Sequence, residues 1–125
     1  MLNTTVRNNM ILSSHIDDIT LRGLIKKVKM EADLDKLPMG LETEVIEQGK
    51  NLTNIQKKKI GLIRSICSGS DTIVIDDIFS GMDGKEQLKI FNSLFSRSKS
   101  RSVIYTTENL DLIRKADKII VMKLG

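Results

Sequence analysis

Thr72-Ile73-Val74-Ile75-Asp76-Asp77 is the stretch that decides the fold. Three β-branched aliphatics follow a threonine and run straight into two adjacent carboxylates. A short apolar run of this kind reads as a strand buried on both faces, as in parallel sheets. A strand that ends in acid puts charge at the carboxyl edge of the sheet, the edge where ligands bind in open α/β sheets. An ordinary buried strand followed by a solvated Asp turn fits the same six residues, so the choice rests on their surroundings.

Upstream, Ser68-Gly69-Ser70 ends a helix predicted from about Asn54 to Cys67, with Ile55, Ile60, Ile63 and Ile66 on or near one face. Thr53 is a good N-cap and Gln56 sits three residues on, the pattern of a capping box. Lys57, Lys58 and Lys59 lie in the first turns, where cations oppose the helix dipole. Either they are solvated or an anion sits nearby. Downstream, Ser80 to Gly84 is a loop with two glycines. A helix over about 85–95 turns Leu88, Phe91, Leu94 and Phe95 inward. Ser102–Thr106 is a second strand, Leu110, Ile113 and Arg114 mark a short helix, and Lys118–Met122 is a third strand. Strands alternating with helices imply right-handed crossovers and a parallel sheet.

The first half is less patterned. Residues 1–16 are polar, with Ser14-x-x-Asp17 as a capping box leading into a helix over Asp17–Met30. That helix places Leu21, Leu24, Ile25 and Val28 on one face and Lys26, Lys27 and Lys29 on the other. Pro38 and Gly40 punctuate the chain, and Leu41–Gly49 is acidic and turn-rich.

The 125 residues suit one domain, and 40% apolar with 29% charged residues place it among globular chains rather than disordered ones. With aromatics at 3%, the core must be built from Ile, Leu, Val and Met. The net charge of +4 is too small to argue for nucleic acid, and no aromatic-interleaved basic patch accompanies it. The single cysteine, Cys67, excludes an internal disulfide and a cysteine-based zinc site, and fits a reducing compartment. No apolar run approaches the roughly 20 residues of a membrane span, and Met1–Met10 lacks the apolar core of a signal peptide.

Taken in order, these pieces resemble the nucleotide-binding domain of an exporter-type ATP-binding cassette (ABC) transporter, from just past its Q-loop to its end. Thr4 to Asn9 resembles the G-T-V/I-R-E-N segment. Leu37-Pro38-x-Gly40 and Glu47-x-Gly49-x-Asn51-Leu52 resemble the lead-in to the signature. Leu52-Thr53-Asn54-Ile55-Gln56 stands in the place of L-S-G-G-Q, and Lys57 to Arg64 resembles the K-Q-R-I-x-L-x-R helix. Thr72–Asp77 resembles Walker B, Ser80-Gly81-Met82-Asp83 the D-loop, and Ala116 to Val121 the closing A-D-R-I-I-V strand. Seven motifs in the right order carry the resemblance, which covers nearly the whole chain.

The resemblance implies a partial P-loop NTPase of the ABC type. A small parallel sheet would be flanked by helices and joined to a helical signature subdomain, with residues 1–68 forming the signature part and 69–125 the Walker B-side α/β part. It makes ATP and Mg²⁺ the cofactors, with Asp76 toward Mg²⁺. It makes Asp77 the acid that polarises water, although active members carry the longer Glu there. It gives Leu52, Thr53, Asn54, Ile55, Gln56 and Asp83 to nucleotide contact. In the signature, Asn54 and Ile55 replace two glycines whose use is close backbone approach. The switch histidine falls on Glu108, an anion, and the only histidine, His15, lies elsewhere as a surface residue. These departures describe a degenerate site. Adjacent Asp-Asp also occurs in the first nucleotide-binding domain of the multidrug-resistance-associated, C-type exporters.

No G-x-x-x-x-G-K-S/T occurs in the 125 residues, so this chain alone is expected to bind ATP weakly or not at all and to be inactive by itself. In the family, the P-loop strand lies between the strands matched by Ser102–Thr106 and Lys118–Met122. Here those two either close on each other, receive a strand from another chain, or swap between copies. The implied partners are a second nucleotide-binding domain or a homo-oligomer and a membrane-spanning transporter subunit, at the cytoplasmic face of a membrane. A second reading is a non-catalytic interaction or regulatory module derived from the ABC fold. A third, a phosphoacceptor receiver, needs an Asp that Thr106-Thr107-Glu108 does not supply.

Overall fold

A computed structural model describes residues 1–96 and 100–123. Helix α1 (Val6–Ile11) is followed by α2 (Asp18–Lys27), α3 (Glu31–Leu34), a 3₁₀ turn at Gly40–Glu42 and the long α4 (Asn54–Cys67). Then come β1 (Thr72–Ile75), α5 (Gly84–Phe95), β2 (Ser102–Tyr105) and α6 (Leu110–Ile113). The two strands pair in parallel, Thr72 opposite Ser102 and Ile75 opposite Tyr105, as expected for a strand–helix–strand crossover.

Helix α4 passes through the middle of the core. Ile60, Leu62 and Ile63 are fully buried, and residues from both halves of the chain pack in one cluster around them, among them Val6, Leu21, Ile75, Ile90 and Leu112. Its start is the expected capping box: the Thr53 hydroxyl accepts from the Gln56 N–H at 3.1 Å, and the Gln56 carboxamide accepts from the Thr53 N–H at 2.8 Å. The few aromatics gather on one side, with Phe91 against Phe79, Phe95 and Tyr105 at ring-centre distances of 6.4, 5.2 and 5.0 Å.

Five expectations are corrected. The weakly patterned start forms α1, because its polar residues are used internally. Thr5 caps the helix, and Thr4–Val6 pairs with Thr43–Val45 through Val6 N–H to Thr43 O and Val45 N–H to Thr4 O, both 2.9 Å. Helix α2 is capped by Asp17, whose carboxylate accepts from the Thr20 N–H, while the Ser14 hydroxyl donates to the Cys67 carbonyl. It stops at Lys27 because Lys29 takes a left-handed φ of 54° and the Met30 N–H reaches back to Ile25 O, the wiring of a Schellman end.

Strand β1 is buried on one face only: Ile73 and Ile75 are covered, whereas Val74 is 67% exposed. The third strand is absent, since residues 118–122 belong to no sheet among the described residues. Ile119, Ile120, Val121 and Met122 are all exposed. The segment has no pairing neighbour and no cover among the described residues, so Ser102–Thr106 and Lys118–Met122 do not close on each other.

Asn9 ties the chain's start to α4. It is fully buried. Its side-chain oxygen accepts from the Leu2 N–H at 2.8 Å and from Arg64 Nη2 at 2.9 Å, its Nδ2 donates to Leu2 O at 2.9 Å, and its carbonyl accepts from Arg64 Nε at 2.7 Å. The same burial holds the Arg64 pKa below its ordinary value. Replacing Asn9 by Ala removes the carboxamide partner of Arg64 Nη2 and of both Leu2 main-chain groups, so it is expected to cost about 2–4 kcal/mol in urea unfolding. A loss under about 0.5 kcal/mol would mean that water replaces the carboxamide at no cost.

Candidate functional site

Of the expected site residues, Asp76, Asp77 and Glu108 lie where β1 and β2 end. Beyond Ile75 the chain turns, and Asp77 adopts φ 51°, a left-handed conformation that Asp tolerates better than most residues. Thr106, just past β2, clamps the turn. Its hydroxyl donates to Asp76 Oδ1 at 2.9 Å and accepts from the Asp77 N–H at 3.0 Å, while its own N–H reaches Ile75 O at 3.1 Å. Phe79 and Met82 are buried and anchor the following loop.

A cleft of ≈ 540 Å³ opens here, lined by Asp77, Ser80, Thr106, Thr107, Glu108 and Asn109 among others. Asp77 and Glu108, expected at the water-polarising and switch positions, therefore face one cleft. Asp83 serves as the N-cap of α5, accepting from the N–H groups of Lys85 and Glu86. Asn109 bridges from the other wall, donating to Gly84 O at 3.3 Å and to the Gln87 carboxamide oxygen at 3.1 Å. The signature-like residues Leu52, Thr53, Asn54, Ile55 and Gln56 do not line this cleft. Leu52 is buried, Thr53 and Gln56 are occupied with each other, and Gln56 also donates to Asp33 O at 3.4 Å.

The lysine run has anions after all, and they are the protein's own. Lys59 is buried, with Nζ at 2.9 Å from Asp33, 3.2 Å from Glu86 and 2.8 Å from the Lys29 carbonyl. Lys58 reaches Asp77 Oδ2 at 3.3 Å and Ser80 O at 2.9 Å. Sequence reasoning missed Lys58, Thr106 and Asn109. The cations set against the helix dipole were the one signal that a carboxylate was near.

Asp76 offers a single carboxylate, one oxygen of which already accepts from Thr106. That suits a Mg²⁺ ion held mostly by water and phosphate oxygens. Among the described residues no group of three or more His, Cys, Asp or Glu converges as a metal cage. A triphosphate does not fit the cleft as it stands, because Asp77 and Glu108 present anions to it.

No family model matches the chain. It is 32% identical over 121 residues to the oligomycin resistance ATP-dependent permease YOR1 of Saccharomyces cerevisiae, covering 96% of this chain and 8% of that protein. It is 29% identical over 126 residues to ABC transporter C family member 3 of Dictyostelium discoideum, and equally so to the multidrug resistance-like ATP-binding protein MdlA of Escherichia coli. Both alignments take in all of this chain, with 9% and 21% of those proteins. The chain is homologous over its whole length to ABC transporters. It spans only between about a tenth and a fifth of the length of such relatives. A bacterial Atm1-family ABC exporter solved with ATP bound superimposes with a TM-score of 0.81 over 94% of this chain and 21% of that one, at 19% identity. The fold is thus that of part of an ABC exporter. No helix among the described residues is long and apolar enough to cross a membrane.

The Thr106 clamp gives a direct test. Thr106→Val removes both hydroxyl bonds at the cleft and is expected to cost about 1–2 kcal/mol in urea unfolding, with Thr106→Ser recovering most of it. A loss in Thr106→Ser with none in Thr106→Val would assign the effect to packing of the methyl group instead.

Proposed function

We propose that this chain is the signature- and Walker B-bearing part of the ATP-binding cassette of an exporter-type ABC transporter. In this reading residues 1–68 form the helical signature part and 69–125 the Walker B-side α/β part. It works at the cytoplasmic face of a membrane, beside a membrane-spanning subunit and opposite a second nucleotide-binding domain or another copy of itself. ATP and Mg²⁺ are ligands of that assembly. Asp76 is directed to Mg²⁺, and Leu52–Gln56 and Asp83 contribute contact surface for a nucleotide held by the opposing domain.

The chain's own chemistry is blunted. One observation carries this: the Asp77 carboxylate is paired with Lys58 at 3.3 Å, in a cleft whose other acid is Glu108. A carboxylate held by an ammonium is a poorer acceptor for a water proton, and Glu108 repels a phosphate where a donor is wanted. Asp77 is also one methylene short, and a misplacement of about 1 Å can cost roughly 10²-fold in rate. Asn54 and Ile55 carry side chains where close backbone approach is needed.

A second reading, a non-catalytic interaction or regulatory module, draws support from the exposed apolar segment Ile119–Met122. Calorimetry of the chain with MgATP is expected to detect no submicromolar binding, and Asp77→Glu alone to leave hydrolysis at background. Submicromolar affinity, or measurable turnover by that single variant, would overturn the blunted-site reading.

A further inference from the structure

We infer that Lys58 is a positioning residue that latches the Asp77–Ser80 turn to helix α4 and keeps the Asp77 carboxylate from engaging a divalent cation. This deepens the reading of the cleft given above and rests on it, but the interaction itself is visible without any nucleotide.

Lys58 Nζ makes two contacts on the turn, one to a carboxylate oxygen of Asp77 and one, at 2.9 Å, to the main-chain carbonyl of Ser80. The two together fix both the side chain of Asp77 and the path of the loop after it. A lysine on an open surface loses rotamer freedom in forming such a pair and gains little. The Lys58 side chain is only 24% exposed whereas that of Asp77 is 71% exposed. Packing therefore pre-orders the lysine stem, and the ammonium is delivered from a rigid helix to an open loop.

The turn needs holding. Asp77 sits at φ 51°, and a non-glycine residue stays in that region when its surroundings enforce it. Thr106 holds the turn from the end of β2, through the Asp77 N–H and Asp76. Lys58 holds it from the opposite side, from α4. Removing either clamp leaves the acidic start of the turn held from one side only.

Charge gives the latch its second effect. Asp76 and Asp77 are adjacent and Glu108 lines the same cleft as Asp77. Among the described residues Lys58 is the only cation paired with any of the three. An ammonium beside Asp77 repels a second cation and supplies the charge that a hydrated divalent ion would otherwise bring. The helix that Lys57–Arg64 resembles has Gln where Lys58 stands, and Walker B has Glu where Asp77 stands. Here a neutral amide and a long acid are replaced by a cation and a short acid that reach each other.

NMR on the chain tests both effects. The Ser80 and Met82 amides, bonded to Asp77 O and Phe79 O, report the turn by hydrogen exchange. Lys58→Gln is expected to speed their exchange at least about fivefold, with Lys58→Arg keeping the protection. Asp77→Asn leaves the Lys58 bond to Ser80 O in place and should speed exchange by less, and the double variant should go little further than Lys58→Gln alone. Titration with Mn²⁺ should broaden the Asp77 and Ser80 amides at a concentration at least about fivefold lower in Lys58→Gln than in the parent. Unchanged exchange, effects that multiply in the double variant, or equal Mn²⁺ response would overturn the latch. Submicromolar ATP binding would count against the functional reading alone and leave these readouts untouched.

Discussion

Lys59 is a cation withdrawn from water in the first turns of α4. Left alone there, its ammonium would cost several kcal/mol of desolvation. The fold answers with Asp33 at the end of the third helix, Glu86 at the start of α5 and the Lys29 carbonyl at the end of α2. Groups from three elements are thereby drawn to one point. The helical part and the part that carries the strands cannot rotate past each other without stripping that charge. A cation close to a helix start also opposes the dipole, so the arrangement holds because both carboxylates are present together. Arg64, five residues on, repeats the device with neutral partners through Asn9. Helix α4 is thus fixed at its start by charge and in its later turns by a carboxamide.

With α4 fixed, Lys58 has no freedom to choose its partner. Successive residues on a helix point about 100° apart, so burying Lys59 toward Asp33 and Glu86 aims Lys58 at the turn after β1. Asp77 is the carboxylate within reach. The condition of the cleft therefore follows from a core constraint as much as from the identity of the residues that line it. A change at Lys59 or Glu86, remote from the cleft, would alter the angle at which the Lys58 ammonium arrives.

Much of this was legible in the residues because it was local. The Thr53–Gln56 capping box, the span of α4, the strand at Thr72, the loop at Ser80 and the helix after it depend on neighbours within four positions, and the structure returns them nearly residue for residue. What stayed hidden was non-local. Helix α1 forms because residues 4–6 find residues 43–45, and Asn9 finds Arg64 fifty-five positions away. Asp77 and Glu108 could be named from motif order, and they do share a cleft. Lys58 could not, since nothing in three consecutive lysines says which one reaches a carboxylate nineteen residues on. The third strand was misread for the opposite reason. Ile119–Met122 has the composition of a strand, yet composition cannot supply the neighbour that strand pairing requires.

The sheet itself carries a related tension. Its strands have the Ile- and Val-rich make-up of a parallel sheet covered on both faces, and the core covers one. Val74 and Ile104 stand 67% and 60% exposed on the other face, and Ile119–Met122 lies open as well. Burying a side chain of that size is worth about 1.5–3 kcal/mol, so this face holds free energy that the described residues do not recover. A two-stranded parallel sheet is also the least self-sufficient kind, with both outer edges unpaired among the described residues. Its persistence here is owed to α4 and α5, which seal Ile73, Ile75 and the ring of Phe91 beneath it. The strands are carried by the helices rather than the reverse, which is why the geometry of the acidic turn at their ends is set by a lysine on α4.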